Sequence, residues 1–241
     1  MKKNLLLLCV LGCLVQPVWA ANIDSIGALS QSQFKSFSED ISSAVSYKPV
    51  TPAEPLGILG FDLGLEVTET KLQNPALWTK ATSGAFTSSS VILPKLHLLL
   101  GLPFKFDVGA FYSEVPSANT KLYGGELRYS IIEGGTATPA VAVRGSFSKV
   151  TGVDQLSFDT KGLDVSISKG IAMFTPYAGI GEVWSDSTPH NTTGTSLTKE
   201  SFSQNKFFVG GNVNFLFMNV DLEYDKTGSD QSYSAKLGFR F

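Results

Sequence analysis

The chain has two cysteines, Cys9 and Cys13, and both fall within its first twenty residues. Residues 21–241 have none, so no disulfide can hold them. An exported chain of that length then needs a large core or a closed sheet. Long apolar runs are also missing. The most apolar stretch after the opening segment, residues 96–106, is broken by His97, Gly101, Pro103 and Lys105, whereas a spanning helix needs about 20 apolar residues. A basic surplus is absent too. Without Lys2 and Lys3 the 19 Lys and Arg become 17 against 21 Asp and Glu, a net of −4, which gives no footing for nucleic acid. Histidine is scarce: His97 and His190 stand alone after residue 20. With no cysteine beside them they spell out no zinc set, and no metal or cofactor is expected.

The first twenty residues have the anatomy of an export signal. Lys2 and Lys3 supply a positive start, residues 5–15 an apolar run, Pro17 a break, and Val18 and Ala20 the small-residue positions before a cleavage point. Cleavage after Ala20 is expected, with a lipoprotein-type box ending at Cys13 as the alternative. Residues 21–55 differ in pattern from the remainder of the chain. Ser30 and Gln33 are spaced as a capping box. Phe34, Phe37, Ile41 and Val45 then recur at helical spacing among Lys35, Ser38, Glu39 and Ser42, predicting a one-faced helix of about four turns. Such a stripe is expected to pack at the mouth of a larger fold, with insertion as a plug as the alternative. Pro49, Pro52 and Pro55 make the next segment a semi-rigid extended connector.

From residue 56 to 241 the period changes to two. Leu59, Phe61, Leu63, Leu65 and Val67 share one face, and Gly60, Asp62, Gly64, Glu66 and Thr68 the other. Comparable alternation recurs about ten times, with long and short connections in turn. Residues 71–90 and 186–204 read as polar loops, and the turn at Leu102 and Pro103 as short. The seventh strand is ambiguous, because Tyr177 and Val183 oppose Ile180, Glu182 and Trp184. Two faces of opposite character, repeated without a spanning helix, predict an all-β fold: a single antiparallel transmembrane β-barrel of about ten strands. Its inward charges would be Asp62, Glu66, Glu126, Arg128, Arg144, Asp164, Lys236 and Arg240, with His97 beside them. These either brace a packed interior or line a path for a small solute. Asp221, Glu223 and Asp225 read as one wall rather than a calcium site. A soluble ligand-binding barrel would reverse the faces, and alternation alone does not separate the two.

The last strand runs Ser-Tyr-Ser-Ala-Lys-Leu-Gly-Phe-Arg-Phe from Ser232 to Phe241. Its apolar face ends on Phe241. With the export segment and the alternating strands, this resembles small bacterial outer-membrane β-barrel proteins, whose last residue is typically Phe and is read by the barrel-assembly machinery. The resemblance implies a place in the outer membrane of a Gram-negative cell. It implies outer-membrane lipid, lipopolysaccharide and that machinery as partners, the last through Phe241. The function expected is a narrow or plugged porin-like channel for a small solute of unspecified chemistry. The alternatives are a structural or surface-interaction barrel and a lipid-modifying outer-membrane enzyme. The enzyme would rest on His97 alone, which lacks a same-face Ser two residues on, so no catalytic residue is expected.

Overall fold

The computed structural model describes residues 22–115, 119–190 and 196–241; the expected cleavage point at Ala20 lies outside them. Ten strands close into one antiparallel barrel: β1 (Phe61–Lys71), β2 (Ser90–Gly101), β3 (Phe106–Val115), β4 (Thr120–Glu133), β5 (Ala140–Thr151), β6 (Leu156–Ser168), β7 (Phe174–Pro189), β8 (Glu200–Phe215), β9 (Met218–Thr227) and β10 (Asp230–Arg240). Each strand pairs with its neighbour in sequence, and β1 pairs with β10 to shut the ring. At that seam Leu63 faces Phe239 and Glu66 faces Lys236. Closure leaves no free edge, so every strand has a partner on both sides.

The alternation settles the faces. Leu63, Leu98, Val213 and Leu237 stand on the exterior, while Asp62 and Arg128 are buried inside. The outer apolar face ends toward the loop side at paired tyrosines: Tyr112 opposite Tyr123, and Tyr224 opposite Tyr233. Beyond them the outer face turns polar, with Lys71, Lys121, Lys149, Lys161 and Lys226 exposed. Tyr129 and Phe241 lie at the opposite, turn side. The β7 ambiguity resolves with Tyr177 and Val183 inward and Ile180 and Trp184 outward.

Three boundaries differ from expectation. The first strand starts at Phe61, not residue 56, because Gly57 and Leu59 take left-handed φ of 82° and 66° and fold the chain back. The expected polar loop at 186–204 is strand at both of its ends. β7 runs to Pro189 and β8 starts at Glu200, above the level where a lipid face needs apolar residues. The expected loop at 71–90 contains a short helix, Pro75–Ala81, begun by proline at its first turn, where the missing N–H costs nothing.

The longer helix, α1 (Gln31–Val45), carries the expected capping box. Ser30 accepts from the Gln33 N–H, and Gln33 accepts from the Ser30 N–H. It does not rest on the mouth of the barrel. It stands inside the loop-side half of the lumen, and the short helix α2 (Pro75–Ala81) packs over its start. Phe34, Phe37, Ile41 and Val45 bury their stripe with Trp78, Phe86, Leu93, Leu122 and Phe158. Phe37 and Trp78 meet edge to face at 5.0 Å. The opposite stripe is serine. Ser38 and Ser42 meet Ser187 and Ser185 of β7 at 2.8 and 2.7 Å, and Ser43 donates to the Thr227 carbonyl at 2.8 Å.

Candidate functional site

Residues 46–56 continue from α1 down the lumen and emerge at the turn side, where β1 begins. Proline keeps this segment extended, so it makes no ladder of its own. Its backbone groups are taken up by the wall. Lys206 donates to the Tyr47 carbonyl at 2.5 Å, and Glu223 accepts from the Val50 N–H at 2.9 Å. Ser168 accepts from the Ala53 N–H, and Arg128 donates to the carbonyls of Pro52 and Glu54 at 2.6 and 3.1 Å. Asp107 accepts from the Leu56 N–H at 3.1 Å and also holds Arg128 at 2.9 Å. A buried amide left unpaired costs about 1–3 kcal/mol, and the wall takes up those of Val50, Ala53 and Leu56.

The inward charges predicted from sequence all face this segment or one another. Asp62 receives Lys236 at 3.0 Å, Arg240 at 2.6 Å and the Asn219 amide at 2.9 Å, and Arg240 also reaches Thr51. Glu66 holds Lys95 at 2.6 Å. Arg144 lies 2.9 Å from Glu126 and 3.9 Å from Asp164. His97 is buried; its Nε2 is 2.7 Å from the Tyr47 hydroxyl, and its Nδ1 is 3.5 Å from Glu66. Lys236 also approaches Asp221, 3.3 Å away. Asp221, Glu223 and Asp225 each give one oxygen to Asn212, Val50 and Lys48 respectively.

Sequence reasoning did not single out Tyr47, Lys48, Lys206 or Asp40. Lys48 lies 2.5 Å from Asp225, with Lys206 3.7 Å from the same carboxylate. The available signal was a lone lysine in a proline connector, facing an acid-rich strand. Asp40 accepts from the Asn74 N–H, the Asn74 side-chain amide and the Trp78 indole at 3.0, 2.9 and 3.2 Å. It thereby fastens α1 to α2. Burial pushes its carboxyl above the usual 3.8, against the pull of those donors.

Little space remains between the threaded segment and the wall. Beside Val45 and Leu93 the cavity volume is about 10 Å³, and beside Tyr47 and Lys206 the space is too narrow for a water. That admits at most one water. His190 sits at the exposed rim with Nε2 2.8 Å from Ser157 Oγ. Among the described residues no carboxylate or amide holds its other ring nitrogen.

No family model matches the chain, and no curated protein matches it. Solved structures do. The β-domain of the Bordetella autotransporter BrkA aligns with 76% of this chain and 100% of its own at 9% identity, with a TM-score of 0.45. The KdgM porin in complex with disordered oligogalacturonate aligns at 7% identity over 76% and 99%, with a TM-score of 0.38. Neisserial surface protein A aligns at 10% identity over 75% and 95%, with a TM-score of 0.31. At these values the likeness adds nothing to what strand closure already shows. The conclusion comes from the chain itself: the barrel is closed, its exterior is apolar up to a tyrosine girdle, and its interior is charged. The chain is an outer-membrane β-barrel.

Proposed function

We propose that the protein is a self-plugged barrel whose working surface is its loop-side cap, serving a structural or surface-interaction role rather than steady solute passage. The carrying observation is the clasp of Arg128. One guanidinium binds two carbonyls of the connector and the Asp107 carboxylate at once, and Lys48 is fixed to Asp225 further up the lumen. A plug held at several depths leaves no path for a solute. The partners on this reading are outer-membrane lipid and lipopolysaccharide around the barrel and the assembly machinery acting on Phe241. Planar-bilayer recording tests the reading. The intact protein is expected to be silent, and a variant lacking residues 22–50 to conduct. Steady conductance from the intact protein would refute the sealed state.

A second reading, a narrow porin-like channel opened by withdrawal of the plug, has one supporting observation. The wall behind the connector is charged, with Glu66, Lys95, Arg144 and Lys206 among its residues, and would line a polar path once uncovered. Brief openings of the intact protein under applied voltage would favour it. A lipid-modifying enzyme has less support, since His97 is walled in against Tyr47 and no serine is hydrogen-bonded to it among the described residues.

A further inference from the structure

The turn side of the barrel is unusually apolar for a surface facing water. Leu59, Phe104, Leu216 and Phe217 are 84, 86, 83 and 63% exposed, and Met173 and Phe241 stand out beside them. Leu59, Phe104, Ala172 and Leu216 also hold left-handed φ of 66°, 62°, 54° and 56°, a conformation that glycine or asparagine adopts at less cost. Apolar side chains are therefore placed where backbone geometry alone would choose something else.

The lipid-facing belt is short on some of the strands. On β1 its outward apolar residues run from Phe61 to Val67 before Glu69 and Lys71 intervene. Six rises of about 3.4 Å on a strand tilted by roughly 40° give a height of about 16 Å, against a usual band of about 25 Å. Outward residues on β9, Met218 to Tyr224, span the same six rises before Lys226.

Part of the backbone of these turns is paired within the protein. The Phe217 carbonyl accepts from Arg240, that of Met173 from Asn214 and that of Phe106 from Leu102. Each such bond lowers the cost of placing irregular backbone in lipid. The polar exception is the β4–β5 turn, whose Gly135, Thr136 and Thr138 carbonyls accept from Lys169 at the start of the β6–β7 turn. Lys105 of the β2–β3 turn pairs with the exposed Glu133 at 2.8 Å, and both side chains are long enough to reach headgroups.

We infer that the β2–β3, β6–β7 and β8–β9 turns are immersed in the acyl region of the turn-side leaflet. They continue the strand belt downward and make up its missing height, so the barrel sits low in the membrane and its loop-side third stands in water. The occupant of this surface is lipid, with which the belt is already continuous.

Residues 21–241 have no cysteine, so single-cysteine nitroxide labelling of the full chain in phospholipid vesicles reads the depth. Labels at Phe104→Cys and Leu216→Cys are compared with Leu65→Cys in the belt and Lys226→Cys above it. The expected result is oxygen accessibility matching the Leu65 site and water-soluble nickel-chelate accessibility several-fold below the Lys226 site. Chelate accessibility equal to that of Lys226 would place the turns in water and overturn the inference. Protection from both oxygen and chelate would mean a protein, a partner or a second copy, covers the rim, and would overturn it equally. Labels at Met173→Cys and Phe217→Cys give the same reading if either first variant fails to assemble.

Discussion

The Lys48 ammonium, carried by the threaded connector, lies 2.5 Å from the Asp225 carboxylate of β9, and neither side chain reaches solvent. Lys206 approaches the other oxygen of Asp225 at 3.7 Å. Replacing a buried pair as a whole is often neutral, but removing one member strands the other and costs about 3–5 kcal/mol. The two single changes should therefore differ. Asp225→Ala removes the shared carboxylate from two buried lysines, which keep only neutral acceptors such as the Ser43 and Tyr47 carbonyls, and is expected to cost about that much. Lys48→Met leaves Asp225 with Lys206 and is expected to cost less. The double variant should recover part of the loss of Asp225→Ala. Urea unfolding of the three variants in one detergent checks the order.

Asp40 joins α1 to α2 and gives that joint a pH dependence. Burial raises its carboxyl above 3.8, with the nearby Glu39 pushing the same way and the Asn74 and Trp78 hydrogen bonds pushing back. The folded chain therefore keeps this proton at pH values where the unfolded chain has released it. Stabilisation from this group is complete below about pH 3.8 and is lost as pH rises through the folded value. Protection of the Asn74 amide against hydrogen exchange, corrected for intrinsic rates, should fall across that window. Asp40→Asn should flatten the slope and cost about 1–2 kcal/mol of local stability at neutral pH through weakened hydrogen bonds.

Two inward glycines make room for two inward rings across one strand pair. Tyr177 lies opposite Gly210, and Phe208 opposite Gly179. A methyl at Gly210 would collide with the Tyr177 ring and come within 2.6 Å of the Leu222 carbonyl, and one at Gly179 would enter the Phe208 ring. Gly210→Ala and Gly179→Ala are each expected to destabilise the barrel by about 1–3 kcal/mol. Gly145→Ala, which meets nothing within 4 Å, should be neutral. Thermal unfolding on gels distinguishes them.

The barrel was legible because lipid and lumen impose opposite chemistry on alternate residues, as at Leu63 and Asp62 or Leu127 and Arg128. The signal failed where one of those media was missing. β7 was ambiguous because its inward Tyr177 and Val183 face the plug rather than water. The upper ends of β7 and β8, including Ser201 and Ser203, stand above the apolar belt, so their two faces are alike and read as loop. The short α2 carries too few residues for a period to show. Placement of α1 was not legible either. Ser38, Ser42 and Ser43 look like a solvated stripe, yet they hydrogen-bond to β7 and to the Thr227 carbonyl. Serine on a helix gives the same pattern whether it faces water or a polar wall, so the lumen-filling segment and its lysine lock emerged only in three dimensions.

The central claim is that the lumen is filled by the chain's own residues 31–56. The Ser42 and Ser185 oxygens are 2.7 Å apart, and those of Ser38 and Ser187 are 2.8 Å apart. Cysteine pairs at these positions, 42 with 185 and 38 with 187, lie within disulfide reach in a segment that has no cysteine of its own. Mild oxidation of each double variant in membranes, read by mass spectrometry of the digested protein, should join α1 to β7 in nearly all molecules. Free thiols persisting at both pairs, in protein shown to be assembled, would contradict the plugged barrel.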